Sequence, residues 1–199
     1  MEATEYLNAG DEHPFRQRSP QDVPHRFSMS GFYELPFGKG QRWGSNINKW
    51  ANAAIGGWQI QGSYVYQSGF PVRFANDAFY VGGPIALDSP TVERWFNTDA
   101  FIKGSSPVDH LRTLPFYFED VRSDPTNNAD LGLRKDIRLT ETMKIQLRME
   151  FINAFNHPLL NVGNAAITVN PGSADFGRVV ASNQQNYARR AQMLVKFIF

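Results

Sequence analysis

Apolar and polar residues alternate with period two along several stretches of the chain. The clearest is Met143 to Phe155. There Met143, Ile145, Leu147, Met149 and Phe151 alternate with Lys144, Gln146, Arg148 and Glu150. Successive side chains of a strand point to opposite faces, so this order predicts a ribbon with one apolar and one polar side. A helix would gather Met143, Leu147 and Phe151 and turn Ile145 and Met149 away, whereas period two places all five together. Asp130 to Leu139 behaves alike. Leu131, Leu133, Ile137 and Leu139 share one face, and Asp130, Arg134, Asp136 and Arg138 share the other. Lys135 is out of step with the apolar set. Thr140-Glu141-Thr142 forms the turn between the two ribbons.

Three more ribbons follow the same rule. In His25 to Pro36, Phe27, Met29, Gly31, Tyr33 and Leu35 oppose Arg26, Ser28, Ser30 and Glu34; Phe32 interrupts the polar side and Pro36 ends the strand. In Gly56 to Phe74, Trp58, Ile60, Gly62, Tyr64 and Tyr66 alternate with Gln59, Gln61, Ser63 and Gln67, with Val65 the exception. In Ala188 to Phe199, Ala191, Met193, Val195, Phe197 and Phe199 share one face. Arg190, Gln192 and Lys196 share the other with Leu194 and Ile198.

The expected fold is all-β, an antiparallel meander of about five amphipathic strands near 25–36, 56–74, 129–139, 143–156 and 188–199. Residues 1–24 read as a polar N-terminal loop segment, and 25–199 as the incomplete C-terminal part of a transmembrane β-barrel. A half-apolar last strand that ends on a bare aromatic carboxyl terminus is what such a barrel shows. Met193, Val195, Phe197 and Phe199 are therefore read as the membrane-insertion signal.

In outer-membrane barrels the periplasmic turns are short and the extracellular loops long. With a periplasmic terminus, 75–128 and 157–187 become outer loops, and Thr140 to Thr142 a periplasmic turn. Phe37 to Ile55 is a periplasmic connection, long for its kind. Trp58 and Tyr33 then lie near the periplasmic interface, Phe70 and Phe74 near the outer one. No strand of comparable quality is read in 75–128, and only a short one is possible at Arg178 to Ala181. Five strands cannot close, because an open edge in lipid leaves backbone groups unpaired at several kcal/mol each. The chain is a fragment of a larger barrel, one subunit of a barrel shared between chains, or a soluble sheet.

Composition narrows this further. The chain has 199 residues, 20 Lys+Arg against 19 Asp+Glu, and no cysteine. The balance argues against nucleic acid as a partner, and the missing thiols exclude disulfide scaffolds and thiolate metal sites. Aromatic residues make up 14%, with 16 Phe, which suits β structure with long loops. A mean hydropathy of −0.41 does not argue for solubility, since barrel strands are only half apolar. Met1 to Tyr6 lacks the basic and apolar regions of a signal peptide, which favours the fragment.

Candidate chemistry is sparse. His13, His25, His110 and His157 are scattered without ligand spacing, so no metal and no cofactor is expected. Gly38-Lys39-Gly40-Gln41-Arg42-Trp43-Gly44 fits neither phosphate-loop spacing. No nucleophile–base motif occurs, so no catalytic residue is expected and the chain is not read as an enzyme. Arg134, Arg138, Arg148 and Lys144, with Asp136 and Glu150, form either a charged wall facing plug or solute, or a balanced solvated face. In the second case each pair contributes about a few tenths of a kcal/mol. The loop aromatics Trp95, Phe96, Phe101, Phe116, Tyr117 and Phe118 either grip a ligand or pack their loop against itself.

Several segments together resemble a known family. They are Asp22-Val23-Pro24-His25-Arg26-Phe27 with Gly31-Phe32-Tyr33-Glu34-Leu35-Pro36-Phe37-Gly38; Gly56-Gly57-Trp58-Gln59-Ile60 with Gln67-Ser68-Gly69-Phe70-Pro71; Trp95-Phe96-Asn97 with Ala100-Phe101; Arg138-Leu139-Thr140-Glu141; Glu150-Phe151 with Phe155-Asn156-His157-Pro158; Phe176-Gly177-Arg178; and the terminal Phe-x-Phe. In this order they resemble the late barrel of TonB-dependent outer-membrane receptors, in the subclass with a carboxypeptidase-regulatory-like N-terminal domain. The resemblance implies a barrel of about twenty-two strands in the cell outer membrane, taking up a scarce solute. It implies as partners outer-membrane lipid, the barrel-assembly machinery, a missing N-terminal barrel and plug, and TonB through that missing part. The chain alone is not expected to transport. The alternative is a soluble β-sandwich or small barrel that binds carbohydrate or lipid, its apolar faces packed on each other.

Overall fold

The computed structural model of the chain describes residues 2–74, 78–104, 110–160, 167–179 and 186–199. It holds two compact units. The first comprises Met1–Arg26, Gln67–Thr126 and Pro158–Asn186; the second comprises Phe27–Tyr66, Asn127–His157 and Tyr187–Phe199.

Most of the five long strands lies in the second unit. They are β3 (Arg26–Glu34), β4 (Trp58–Gln67), β7 (Thr126–Arg138), β8 (Lys144–Ile152) and β9 (Arg190–Ile198). They form one sheet in the order β3-β4-β7-β8-β9. The pairing is antiparallel from Leu131↔Phe151 to Arg138↔Lys144 between β7 and β8, and from Lys144↔Ile198 to Ile152↔Arg190 between β8 and β9. The Leu35 N–H donates to Trp58 O at 2.8 Å, and the Asp136 N–H to Gly57 O at 3.0 Å, which tie β3 to β4 and β4 to β7. Within the Met143 to Phe155 stretch, Lys144–Ile152 is thus a strand, as period two predicts, and Asn153 to Phe155 turn out of it.

Register settles which side chains share a face. Ile145, Leu147, Met149 and Phe151 of β8 lie directly between Ile137, Lys135, Leu133 and Leu131 of β7 and Phe197, Val195, Met193 and Ala191 of β9. The apolar sets thus form one continuous side. Among the described residues, no second sheet covers that side. Phe27, Met29, Tyr33, Met193, Val195 and Phe197 are all exposed, so the interleaved dry layer of a sandwich is not formed.

The connection between β3 and β4 differs from a plain loop. It contains a helix, α1 (Lys49–Ile55). Asn48 caps it, its side-chain oxygen accepting the Ala51 N–H at 2.8 Å, a type of contact that satisfies one orphan donor of the first turn. Seven residues are too few to show a helical period in sequence. The end of the helix is held by Lys135, whose ammonium donates to Ala54 O at 3.0 Å and to Gly56 O at 2.6 Å. Gly57 follows at φ +71, and an added Cβ there would lie 2.6 Å from Asp136 O. The chain can re-enter the sheet only with glycine at this position.

The first unit departs most from expectation. The 1–24 segment is not all loop, since β1 (Glu2–Glu5) and β2 (Phe15–Arg18) pair antiparallel. The strand expected to run to Phe74 stops at Gln67. Gly69 meets the Ser123 carbonyl so closely that no Cβ fits, and the chain turns into a new short strand, β5 (Pro71–Arg73). β5 pairs with β6 (Tyr117–Arg122), inside the stretch where no strand is expected from sequence. The chain then enters β7 at Thr126, before the expected start at 129. Of the strand considered at Arg178 to Ala181, Val179 makes a single bridge to Ile167, and residues 180–181 lie outside the described residues.

The core of this unit is aromatic. Phe74 is fully buried and lies 5.0 Å from Phe96, 5.3 Å from Phe101 and 5.3 Å from Phe118 between ring centres. Such pairs contribute about 0.5–1.5 kcal/mol each beyond the area they bury. Phe74 is therefore a core residue, not the interfacial aromatic expected of it. The Arg112 guanidinium donates to the Phe74, Leu114 and Pro115 carbonyls and stacks 3.9 Å from the Phe116 ring.

Candidate functional site

The two faces of the five-stranded sheet present opposite chemistry. On the apolar side Met193 is 71% exposed and Phe199 96% exposed, with Val195 and Phe197 also open. An apolar side of this extent is not left to water in a soluble protein. In a bilayer it is the surface that hydrocarbon covers. Lys135 is the cation that falls among these positions, and it is 4% exposed. Its long stem runs to the α1 carbonyls and its ammonium sits over the Trp58 ring. The residue that breaks the sequence pattern is thus satisfied by an element that the pattern does not reveal.

The other side carries a ladder of polar contacts. Arg134 grips Asp136 with two donors, at 3.2 and 2.6 Å, and Gln146 donates to the same carboxylate at 3.0 Å. Arg148 lies 3.6 Å from Glu150, which also accepts from Gln192. Arg134 and Arg148 face each other directly across the strands. Each guanidinium is paired with a carboxylate two residues away on its own strand, which limits their repulsion. The middle of this face is therefore balanced. Its end at the β7–β8 turn is not. Arg138 and Lys144 are cross-strand neighbours there, and among the described residues no carboxylate bonds to either. A cavity of about 590 Å³ opens there beside α1, with Lys39 and Lys49 on its wall. Lys49 carries no motif that singles it out in sequence, and Lys39 lies in the Gly38 to Gly44 stretch that fits neither phosphate-loop spacing. The signal available is the lack of any acid from Phe37 to Gly57.

The loop aromatics fall into two groups. Phe96, Phe101 and Phe116 are buried, so their rings belong to the core of the first unit. Trp95, Tyr117 and Phe118 are half-buried. The Trp95 indole N–H donates to Arg122 O at 2.7 Å. Any ligand contact by the six would fall to these three. Among the described residues, no cluster of three or more His, Asp or Glu could hold a metal ion. No described helix is long and apolar enough to cross a membrane, which says nothing of strands.

No curated protein and no solved structure matches the chain. A protein family does match, over residues 2–192. That span takes in most of the sheet, the turn end with its cavity, and all of the first unit but Met1. The match agrees with the exposed apolar side and the one-sheet wall: the chain belongs to the outer membrane beta barrel domain family and resides in the outer membrane.

Proposed function

We propose that the chain is part of a TonB-dependent outer-membrane receptor that takes up a scarce solute. The observation that carries this reading is the open sheet. β3 and β9 stand at its two ends with no strand beyond either among the described residues, while the apolar residues of these two end strands are exposed. A wall of this kind is stable in lipid only when more strands close it. The ordered segments that resemble the late barrel of such receptors supply the rest. The 75–128 and 157–187 connections are then outer loops, the β7–β8 turn is periplasmic, and the polar face lines the lumen.

In this reading the chain works with an upstream barrel and plug, with outer-membrane lipid and with the barrel-assembly machinery. TonB acts through the upstream part, and no residue here has a catalytic task. Two experiments test it. Coding sequence upstream of Met1 is expected to encode a plug and about seventeen further strands. Cells carrying the intact protein are expected to lose energised solute uptake when TonB is removed. Uptake that is indifferent to TonB would overturn the receptor reading and leave a passive barrel.

A further inference from the structure

The cavity at the turn end of the polar face is built from two sources of positive charge. Arg138 and Lys144 are direct partners across β7 and β8. Lys39 and Lys49 enter from the β3–β4 connection and line the same cavity. The connection is held in place. Asn52 Oδ1 accepts the Lys39 N–H at 2.6 Å, and Lys135 anchors the far end of α1.

The charge there is lopsided. None of these four cationic side chains makes a hydrogen bond or ion pair with a described residue. The lining carboxylates are Glu34 and Asp136, and Asp136 is already gripped by Arg134. Four cations thus face one carboxylate that no guanidinium grips. Cations gathered around one concave space raise its potential, and an anion entering it relieves their repulsion. The volume of about 590 Å³ falls in the ordinary range for small-ligand sites. Trp50, 85% exposed, also lines it and offers an apolar plate beside the cations.

We infer that this cavity binds a small multivalent anion bearing phosphate or carboxylate groups. The inference rests on the uptake reading for one point only, that such an anion is the class of solute the barrel carries past this mouth.

The test uses the intact protein, with the rest of its barrel, folded in neutral detergent, with sheet content checked by far-UV circular dichroism. Pyrophosphate and citrate are titrated separately and followed by calorimetry and tryptophan fluorescence. Saturable binding is expected. The Lys39→Gln/Lys49→Gln double variant is expected to weaken it at least about tenfold, because hydrogen bonds from an ammonium to an anionic oxygen are roughly twice as strong as neutral ones. Those two residues lie on an exposed connection, so the sheet is expected to survive. Arg138→Gln/Lys144→Gln is expected to weaken binding equally. Arg42→Gln removes a cation that stacks on Trp43 and does not line the cavity; it is expected to change nothing. Absence of saturable binding by the folded protein would overturn the inference. So would an equal loss in Arg42→Gln, or a response to phosphatidylglycerol micelles alone, which would mark a lipid headgroup site. Binding in a protein whose uptake ignores TonB keeps the site and removes the receptor reading. TonB-dependent uptake without anion binding does the reverse.

Discussion

Lys135 holds its ammonium 4.7 Å from the centre of the Trp58 ring, and the Trp58 indole N–H donates to the same Ala54 carbonyl that Lys135 bonds. The two side chains together clamp the end of α1 against the turn end of the sheet. A cation at a helix C-terminus also faces the negative end of the helix dipole.

Removing that clamp should be costly. Lys135→Ala leaves carbonyls without their donor and is expected to destabilise the chain by about 1–3 kcal/mol. Lys135→Met keeps the apolar stem and is expected to lose nearly as much, because the ammonium is the missing part. The measurement is equilibrium unfolding in urea, with hydrogen exchange of 49–58 as the local readout. Unchanged protection of α1 in both variants would remove the clamp.

Asn153 sits at the end of β8 with φ 50, in the left-handed region. Its amide donates to His157 O and Tyr187 O, both at 3.0 Å, and its oxygen accepts the His157 N–H at 2.9 Å. Asn153→Ala forfeits these bonds and strains the backbone, an expected loss of about 2–3 kcal/mol. Asn153→Gly relieves the strain alone and is expected to recover about 1 kcal/mol of it. Unfolding midpoints of the two variants separate the contributions; equal values would show that conformation plays no part.

These elements show what the sequence can carry. Met143 to Phe151 is legible because five apolar positions fit period two and only three fit a helix. Lys135 is legible as an anomaly, but its partner is not, since Lys49–Ile55 is too short for a periodic signal. The break after Gln67 is invisible because it depends on Gly69 meeting Ser123, which lies far along the chain. Tyr117–Arg122 escapes notice because Glu119 and Asp120 sit together and spoil the alternation. The mouth cavity combines charges from two distant segments, and no local pattern marks it.

Phe74 anchors the aromatic core of the first unit. Phe74→Ala is expected to cost about 3–5 kcal/mol. The loss should fall on that unit, raising protease cleavage within 67–126 while the sheet signal in circular dichroism holds. Loss of the sheet signal at the same denaturant concentration would show instead that the two units unfold together.

The Asp99 carboxylate is held below its ordinary value by a hydrogen bond and the charge of Lys103, with Arg94 adding to both. A folded-state value below the unfolded one stabilises the folded chain above the unfolded value of about 4. That contribution fades as pH falls through the folded value. Carbon NMR titration of Asp99 is expected to show the depression, and Lys103→Gln to raise the value toward normal. An unaltered titration in Lys103→Gln would dismiss the pairing.

Hydrocarbon on one side of this sheet and water on the other must show in the cost of a buried charge. β9 offers a direct comparison, because Val195 pairs with Leu147 on the apolar side while Gln192 pairs with Glu150 on the polar side. Arginine on the lipid face of a barrel costs about 2–4 kcal/mol near mid-membrane and about 0–1 near the interface. Val195→Arg is therefore expected to cost about 2–4 kcal/mol in equilibrium folding into lipid vesicles. Gln192→Arg, facing Glu150, is expected to stay within about 0.5 kcal/mol of the parent. Phe197→Arg lies nearer the turn end and should cost less than Val195→Arg. That gradient separates depth in a bilayer from general loss of packing, which would not fall off toward the strand end. Equal and small effects at Val195 and Gln192 would mean that water reaches both sides, and the membrane assignment of this sheet would fall with them.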